Sequence, residues 1–200
     1  MKKSIWFSST NKGKIQDLNE MLGDEFVIKT PSDLNLDLDV EEDADTFEGN
    51  SLKKAQELFA IVHEPVIADD SGLLIEKLNG FPGVHSNRWY IGQAEGWDAI
   101  NQLLLQKMRD NHLVTEQERA AKFKTVITYL DETGFKQFEG VMAGHIANKA
   151  SGENGFGYDP IFIPTGTTTS RAAVSNQHRH QSSHREIAIK KLINYLKEKK

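Results

Sequence analysis

The chain has 200 residues and a formal net charge of −5 at pH 7. This length suits one large domain over residues 1–200 or two closely joined lobes, and it is sufficient to bury a sizeable core. The acidic balance disfavours a nucleic-acid-binding protein, because such proteins need a basic surface. A small anionic ligand is compatible with it, since such a ligand senses only its local site. The chain contains no cysteine, which excludes disulfides and thiolate metal sites.

The first residues, MKKSIWFSSTNKGK, have two lysines before only a very short apolar run. Such a stretch does not predict a signal peptide. No run in the chain approaches the roughly 20 apolar residues that a membrane-spanning helix needs. We therefore expect a cytoplasmic protein with no membrane partner.

Strands and helices are expected to alternate in the first part of the chain. The pattern predicts a buried strand at 4–8, a polar turn at 9–13 and then a helix with Ile15, Leu18 and Leu22 on one face. A second helix is predicted at about 47–63, with Asp45 and Glu48 as a capping pair. Pro65 ends this helix, and a short strand is expected at 66–68.

The remaining elements again mix strands and helices. Residues 73–78 are expected to lead to a turn at 80–83, followed by a helix that carries Trp97, Ile100, Leu104 and Met108. Alternation predicts a strand at 121–129 with one wet face, an antiparallel partner at 135–146 and a short strand at 161–163. A polar loop at 165–176 precedes a last helix with Ser183 and Glu186 at capping-box spacing. The class is α/β or α+β, with a long mixed sheet.

A first candidate site is SSTNKGK, residues 8–14, between the first strand and the first helix. A helix start presents backbone N–H groups and the positive end of the helix dipole, and Lys12 and Lys14 add charge. This pattern favours a phosphate site, although the spacing is not that of a Walker P-loop. An ordinary well-capped turn is the alternative.

A second candidate is the acidic run between Asp37 and Glu48. Most of these side chains are expected to be solvated or to lie at the helix start. One or two could still reach a hard cation, because Mg²⁺ uses few protein carboxylates and completes its shell with phosphate and water.

Two adjacent aspartates, Asp69 and Asp70, follow the apolar residues 66–68 and raise a third possibility. A strand end is a common place for catalytic groups in α/β sheets. An Asx-type turn explains one aspartate well and two poorly. A bound divalent cation would offset their repulsion and keep both ionised.

The last quarter of the chain holds a glycine-rich stretch, GENGFGYDP, at 152–160 and a basic SSHRE at 182–186. Glycines let a backbone approach a flat ligand, and Phe156 or Tyr158 could stack on a base. A glycine-rich hairpin is the alternative. His184 and Arg185 fall in the first turn of the last helix, where an anion is a natural partner. His178, His180 and His184 could suggest zinc, but no second set of ligands with a familiar spacing accompanies them.

Taken together, these blocks resemble the inosine triphosphate pyrophosphatase family, the house-cleaning enzymes for dITP and XTP. The resemblance rests on STNKGK, TFEGNSLKKA, ADDSGL, NGFPGVHSNRW, GFGYDPIF and SHR, which span residues 5 to about 196. It implies an elongated, two-lobed α/β protein with a central mixed sheet flanked by helices, a nucleotide cleft between the lobes, and usually a homodimer. It also implies Mg²⁺-dependent hydrolysis of ITP, dITP or XTP to the nucleoside monophosphate and pyrophosphate.

The resemblance implies a role for particular side chains. Asp70 resembles the general base and a metal ligand, and Glu41 resembles the second metal ligand, with Glu42 as the alternative. The substrate-binding positions would be Ser9, Thr10, Asn11, Lys12, Gly13, Lys14, Lys54, Ser71, Phe156, Gly157, Tyr158, Asp159, Arg179, His184 and Arg185. A non-catalytic purine nucleotide sensor would keep the phosphate turn and the base pocket but would have no use for paired acids beside a metal.

Three positions depart from the usual family pattern. Ser9-Thr10-Asn11 replaces T-G-N, Arg179 stands where lysine is common, and Asn154 stands where glycine is usual. Arginine keeps the positive charge of lysine but not its shape. These departures bear on selectivity more than on the reaction.

Overall fold

The computed structural model describes residues 2–175 and 183–199. Within them, the α-helices are α1 (Lys12–Leu22), α2 (Phe47–Val62), α3 (Trp97–Asp110) and α4 (His184–Glu198). The strands are β1 (Lys3–Phe7), β2 (Phe26–Lys29), β3 (Val66–Ile75), β4 (Phe81–Pro82), β5 (Ala120–Asp131), β6 (Gly134–Ile146) and β7 (Phe162–Pro164). Short 3-10 helices cover Pro31–Leu34, Glu76–Leu78, Gly83–His85, Asp159–Ile161 and Arg171–Ala173.

The strands form one seven-stranded mixed sheet with the order β2-β1-β3-β5-β6-β7, and β4 pairs with β3. β1 runs parallel to both β2 and β3, whereas the β3–β4 and β6–β7 pairs are antiparallel. The predicted α/β class with a central mixed sheet is therefore confirmed. The chain divides into two compact units, which are described separately below.

The first unit contains Met1–Ser71, Thr125–Gly140 and Arg185–Lys200. Helices cover both faces of its strands β1 and β3. Because side chains alternate along a strand, successive residues pack against different helices. One face packs against α1 and α4 and includes Ile5, Phe7, Ile67, Leu18, Ile189 and Leu192. The other face packs against α2 and includes Trp6, Val66, Ala68, Ala55 and Leu58. Odd-numbered residues at the start of β3 thus face α1 and α4, and even-numbered residues face α2.

The second unit contains Gly72–Lys124 and Val141–His184. Its core joins the end of β3, helix α3 and strand β7, and includes Leu73, Ile75, Ile100, Leu104, Met108, Phe123, Ile146, Tyr158 and Phe162. Arg119 is buried within it and donates hydrogen bonds to the carbonyl oxygens of Leu113, Ile146 and Ala147. These bonds compensate the guanidinium for its burial.

Most of the elements expected from the sequence are present, but the strand predicted at 66–68 is longer in the structure. β3 continues through Asp69 and Asp70 to Ile75, so these aspartates lie inside a strand and neither at its end nor in an Asx turn. The strand persists because β5 flanks it and β4 pairs with Leu74 and Ile75. Tertiary pairing thus overrides the low strand propensity of aspartate, serine and glycine.

Several boundaries and caps also differ from the sequence prediction. Helix α1 begins at Lys12, so Lys12 and Gly13 belong to the helix and not to the preceding turn. The cap of α2 is Thr46, whose side chain accepts a hydrogen bond from the N–H of Gly49, rather than Asp45. The wet face predicted for β5 is limited to its first half, since Thr125 to Leu130 are all buried. The stretch 152–160 forms bends, turns and a 3-10 helix rather than a hairpin.

Across residues 2–175 and 183–199, we find no helix that combines the length and the apolar character needed to cross a membrane.

Asp131, at the end of β5, generates a prediction about acid stability. It accepts hydrogen bonds from the Tyr129 hydroxyl at 2.9 Å and from the backbone N–H of Thr133 at 2.9 Å, and it pairs with Lys199. These partners outweigh the effect of burial and lower the pKa of Asp131 to about 2. A depressed pKa contributes stability above the unfolded pKa of about 3.9, and that contribution is lost as the pH falls toward about 2.

We therefore expect Asp131→Asn to lower the free energy of unfolding by roughly 1 kcal/mol at pH 7, since the ion pair is partly screened by solvent. The difference from wild type should shrink between pH 4 and pH 2 in urea titrations. Glu132→Gln, at the exposed neighbouring position, is the control. A difference that stays constant over this pH range would contradict the prediction.

Candidate active site

The two aspartates of β3 lie just beyond the end of β1. β1 ends at Phe7, which pairs with Ile67, and the chain then runs through residues 8–11 into α1. Because side chains alternate in a strand, Asp69 faces α1 and α4, whereas Asp70 faces α2. The carboxylates are adjacent in sequence but lie in different surroundings, and both are almost fully buried.

Asp69 is held by cations from two helices. The Lys14 Nζ atom lies 3.0 Å from its Oδ1 and 2.8 Å from its Oδ2, and Arg185 Nε lies 4.0 Å from Oδ2. Burial alone would raise the pKa of Asp69, but Lys14, Arg185 and Lys54 outweigh it and hold the pKa below its usual value. Burial in turn lowers the pKa of Lys14. Asp69 is therefore an ionised counter-ion that anchors Lys14 at the start of α1.

Asp70 has a weaker set of partners. Its Oδ2 accepts a hydrogen bond from Asn50 Nδ2 at 3.2 Å, and its Oδ1 accepts one from the N–H of Ser71 at 3.0 Å. Among the described residues, the nearest cation is Lys54, whose Nζ atom lies 3.7 Å from Oδ1. Burial, helped by the Glu42 and Asp69 carboxylates and opposed by Lys54, raises the pKa of Asp70 to about 6. A carboxylate with a pKa near the working pH suits general base catalysis.

Lys54, on α2, connects Asp70 to the acidic run. Its Nζ atom donates a hydrogen bond to Glu42 Oε1 at 2.7 Å. Burial opposes the charge of Lys54, but Asp69, Asp70 and Glu42 together raise its pKa above the usual value. Glu41 is exposed, and its charge acts on Lys53. The geometry therefore favours Glu42 over Glu41 as the acid that acts together with Asp70.

The donor set fits a divalent cation that is shared with a ligand. The described ranges contain no group of three or more His, Asp or Glu side chains that could hold a metal ion alone. Glu42 and Asp70 nevertheless come from two elements and face one positive charge, the Lys54 ammonium. Two carboxylates with room for phosphate and water oxygens are a usual Mg²⁺ arrangement.

The start of α1 is an exposed, well-formed helix cap. Asn11 Oδ1 accepts a hydrogen bond from the N–H of Lys14 at 3.1 Å, and Ser9 Oγ accepts one from the N–H of Asn11 at 3.2 Å. Thr10, Lys12 and Gly13 are exposed beside this cap. The positive end of the helix dipole and Lys14 therefore lie at the same end of α1, as an anion site requires.

In the second unit, the two aromatic residues of the glycine-rich stretch have different environments. Phe156 is 57% exposed and Tyr158 only 4%. The Tyr158 hydroxyl accepts a hydrogen bond from Trp89 Nε1 at 2.7 Å and donates one to the Ser86 carbonyl at 2.5 Å. Phe156 is therefore the aromatic side chain that remains accessible for stacking, whereas Tyr158 belongs to the core.

Asp159 stabilises the same stretch from within. Its Oδ1 accepts a hydrogen bond from Arg171 Nε at 2.8 Å, and its Oδ2 accepts one from the N–H of Phe156 at 3.2 Å. The carbonyl of Gly157, a residue with φ of 67°, accepts a hydrogen bond from Asn101 Nδ2 at 3.0 Å. These contacts fix the backbone that carries Phe156.

His184 and Arg185 both lie in the first turn of α4, as predicted, but in different units. The His184 ring stacks on Phe123 with a centroid distance of 5.1 Å. Arg185 Nη1 donates a hydrogen bond to Asp17 Oδ2 at 3.0 Å, which fixes the guanidinium beside Asp69. Arg179 lies outside the described residues.

Sequence reasoning missed Asn50, Asp17 and Arg171. Asp17 could have been found from its position three residues after Lys14, because residues at this spacing share one face of a helix. Asn50 carried a weaker signal, a poor helix former among the apolar residues of α2. Nothing in the local sequence pairs Arg171 with Asp159, since the two are brought into contact by the path of the residues between them, which include β7.

Comparisons with known proteins extend over nearly the whole chain. The sequence profile of the Ham1 family matches residues 5–195. A dITP/XTP pyrophosphatase of Porphyromonas gingivalis is 37% identical over 98% of both chains, and one of Staphylococcus aureus strain MRSA252 is 40% identical over 97% of this chain and 96% of its own. The structure of the S. aureus Ham1 protein has a TM-score of 0.85 at 37% identity, covering 99% of this chain and 100% of the other. A HAM1 protein from Coxiella burnetii has a TM-score of 0.89 at 32% identity, covering 98% and 99%.

The Lys14–Asp69 pair generates a stability prediction. Lys14→Met leaves a buried carboxylate without its nearest cation, so we expect the free energy of unfolding to fall by about 3 kcal/mol. The double variant Lys14→Met/Asp69→Asn removes the uncompensated charge and should recover part of this loss. Urea unfolding at pH 7 measures both, with Lys12→Met, at an exposed position in the first turn of α1, as the control. A double variant no more stable than Lys14→Met would contradict the buried-pair account.

Proposed function

The chain belongs to the Ham1 family, and from this premise we propose that it is a nucleoside triphosphate pyrophosphatase, a hydrolase acting on phosphoric anhydrides. It converts ITP, dITP and XTP to the nucleoside monophosphate and pyrophosphate and so removes non-standard purines from the nucleotide pool. The names of its relatives support the substrate class. The observation that carries the proposal is the buried Asp70 facing Glu42 across Lys54.

The triphosphate is held at the start of α1. The residues for this role are those of the helix cap and the two lysines: Ser9, Thr10, Asn11, Lys12, Gly13, Lys14 and Lys54. The helix dipole and the ammonium groups compensate phosphate charge, and positioning with electrostatics supplies most of the catalysis in phosphoryl chemistry. Lys14 is preorganised for this task by its contacts with Asp69.

Mg²⁺ is the proposed cofactor, held by Asp70 and by Glu42 in place of the Glu41 that the resemblance first implied. When bound, the ion neutralises phosphate charge and makes a coordinated water more acidic. Lys54 already pairs with both carboxylates, so phosphate oxygens offer its ammonium a replacement partner when the nucleotide arrives.

Asp70 acts as the general base. It takes a proton from the water whose oxygen forms a bond to the α-phosphorus, and the bond from that phosphorus to the bridging oxygen breaks, so that pyrophosphate leaves. The pKa of Asp70, raised to about 6 by burial, makes it a stronger base than an ordinary aspartate. The backbone N–H of Ser71 fixes the orientation of the carboxylate, and the Ser71 hydroxyl is proposed to contact substrate.

The stretch from Phe156 through Gly157 and Tyr158 to Asp159, together with His184 and Arg185, is proposed to form the base and sugar site, with Arg179 as a further basic contact. The buried Tyr158 and Asp159 support this site from within. Phe156 supplies the exposed face for stacking, and Asp159 holds its backbone. A pocket donor that pairs with a 6-keto oxygen meets an amino group in ATP, and each such buried mismatch costs about 1–3 kcal/mol. We further propose a cytoplasmic homodimer that has no nucleic-acid partner.

The reaction is tested by incubating the protein with ITP, XTP, dITP, GTP and ATP, with and without Mg²⁺, and identifying every product. We expect monophosphate and pyrophosphate from the first three, and a kcat/KM for ATP at least about 100-fold lower, because several buried mismatches add. Diphosphate with orthophosphate would assign the protein as a γ-phosphatase. Tight ITP binding without turnover would identify a nucleotide sensor.

The general base is tested by Asp70→Asn, which keeps the shape of the side chain but removes its proton-accepting charge. We expect kcat for ITP to fall by at least about 100-fold, the usual scale for loss of a general base. The melting temperature should change little, since the amide oxygen still accepts a hydrogen bond from Asn50 or from Ser71 and the substitution removes a buried charge. Asp43→Asn, in the exposed part of the acidic run, serves as the control. Full turnover by Asp70→Asn would exclude Asp70 as the base.

A further inference from the structure

Asn50 is the fourth residue of α2. It lies between the irregular segment that carries Glu42 and strand β3, which carries Asp70. Its side chain is fully buried, with 0% exposure. Asparagine is a poor helix former, and a buried amide is costly unless its polar atoms have partners. The presence of asparagine at this buried position therefore indicates a role beyond filling space.

Both ends of the Asn50 amide are engaged, each by a different element. Its Nδ2 atom donates a hydrogen bond to Asp70 Oδ2 at 3.2 Å, and its Oδ1 atom accepts one from the N–H of Ala44 at 3.0 Å. Ala44 follows Glu42 by two residues. One planar amide thus connects strand β3 with the backbone that presents Glu42.

Close packing at the start of α2 limits the freedom of this connection. A Cβ atom added at Gly49 would lie 2.7 Å from the Ala44 Cβ, so the acidic run approaches the helix as closely as glycine permits. The Thr46 cap fixes the same helix start through the N–H of Gly49. The segment that carries Glu42 is therefore held at a set position relative to Asp70.

We propose that Asn50 is a positioning residue that sets the separation of the Glu42 and Asp70 carboxylates and thereby the affinity of the site for a divalent cation. The inference rests on the metal site of the proposed function. Asn50 does not contact the substrate in this role. It acts through Asp70 directly and through Glu42 by way of the Ala44 N–H.

The neighbouring Ser51 provides a matched comparison on the same helix. Its side chain is also fully buried, donates a hydrogen bond to the Ala68 carbonyl at 3.1 Å and lies 2.7 Å from Thr128 Oγ1. These contacts attach α2 to the sheet and involve neither carboxylate. A purely structural role for Asn50 would make its variants behave like Ser51→Ala.

The test measures cation affinity directly in Asn50→Leu, Asn50→Ala and Ser51→Ala. Free Mn²⁺ is followed by electron paramagnetic resonance while it is titrated into each protein, with the non-hydrolysable α,β-imido-ITP at saturation. We expect both Asn50 variants to bind Mn²⁺ about 10- to 100-fold more weakly than wild type, the usual effect of removing a group that orients a metal ligand. Ser51→Ala should bind Mn²⁺ as wild type does, although its melting temperature falls.

A second readout separates positioning from general damage. In Mg²⁺ titrations of ITP hydrolysis, the half-activating Mg²⁺ concentration should be higher for the Asn50 variants than for wild type. Their turnover rate should be closer to the wild-type rate at saturating Mg²⁺ than at low Mg²⁺. An unchanged Mn²⁺ affinity in a folded Asn50 variant would overturn the proposal. So would equal effects of the Asn50 and Ser51 substitutions, or unfolding of both Asn50 variants at the assay temperature.

Failure of this inference is distinguishable from failure of the proposed function. Wild-type protein that releases pyrophosphate from ITP while its Asn50 variants keep full Mn²⁺ affinity refutes only the positioning role. Wild-type protein that releases no pyrophosphate refutes the function, whatever its affinity for Mn²⁺.

Discussion

The site depends on one constraint, the burial of two consecutive carboxylates in the middle of a strand. Strand geometry resolves their repulsion, because alternation turns Asp69 toward α1 and α4 and Asp70 toward α2. Each carboxylate then meets its own compensation, Lys14 with Arg185 on one face and Lys54 with Asn50 on the other. Without these partners, burial of either charge would cost several kcal/mol. The helices that carry the cations are thus tied to the sheet at this point.

The positive charges that compensate the two buried aspartates are unequal, and this difference shifts the pKa values of Asp69 and Asp70 in opposite directions. Asp69 has an ammonium at 2.8 Å and a guanidinium nearby, and its pKa is held below the usual value. Asp70 has the Lys54 ammonium at 3.7 Å, and burial raises its pKa to about 6. Neighbouring carboxylates whose environments separate their pKa values are a common basis for dividing structural and catalytic roles. In the function proposed above, Asp69 holds the lysine that contacts phosphate, and Asp70 is left for the cation and the water.

Sequence patterns predicted most of the elements, because apolar periodicity identified α1 to α4 and the β5–β6 hairpin. They also singled out Asp69 and Asp70, but they placed the strand end too early, since D-D-S-G has the local composition of a turn. The choice between Glu41 and Glu42 stayed open in the sequence, because neighbouring residues of an irregular segment carry no periodicity. Contacts made across the fold bear on such questions, and here the Lys54–Glu42 hydrogen bond supports the proposal of Glu42. Asn50 escaped notice for the same reason, since both of its partners lie outside its own helix.

In the proposed function, Asp70 shares a divalent cation with a bound triphosphate. A crystal grown with Mn²⁺ and α,β-imido-ITP, with data collected at the manganese absorption edge, tests it most directly. The account predicts an anomalous peak at coordination distance, about 2.2 Å, from an Asp70 oxygen and from a phosphate oxygen, with Glu42 on the same ion. A triphosphate bound away from Asp70, with no anomalous peak between them, would contradict it.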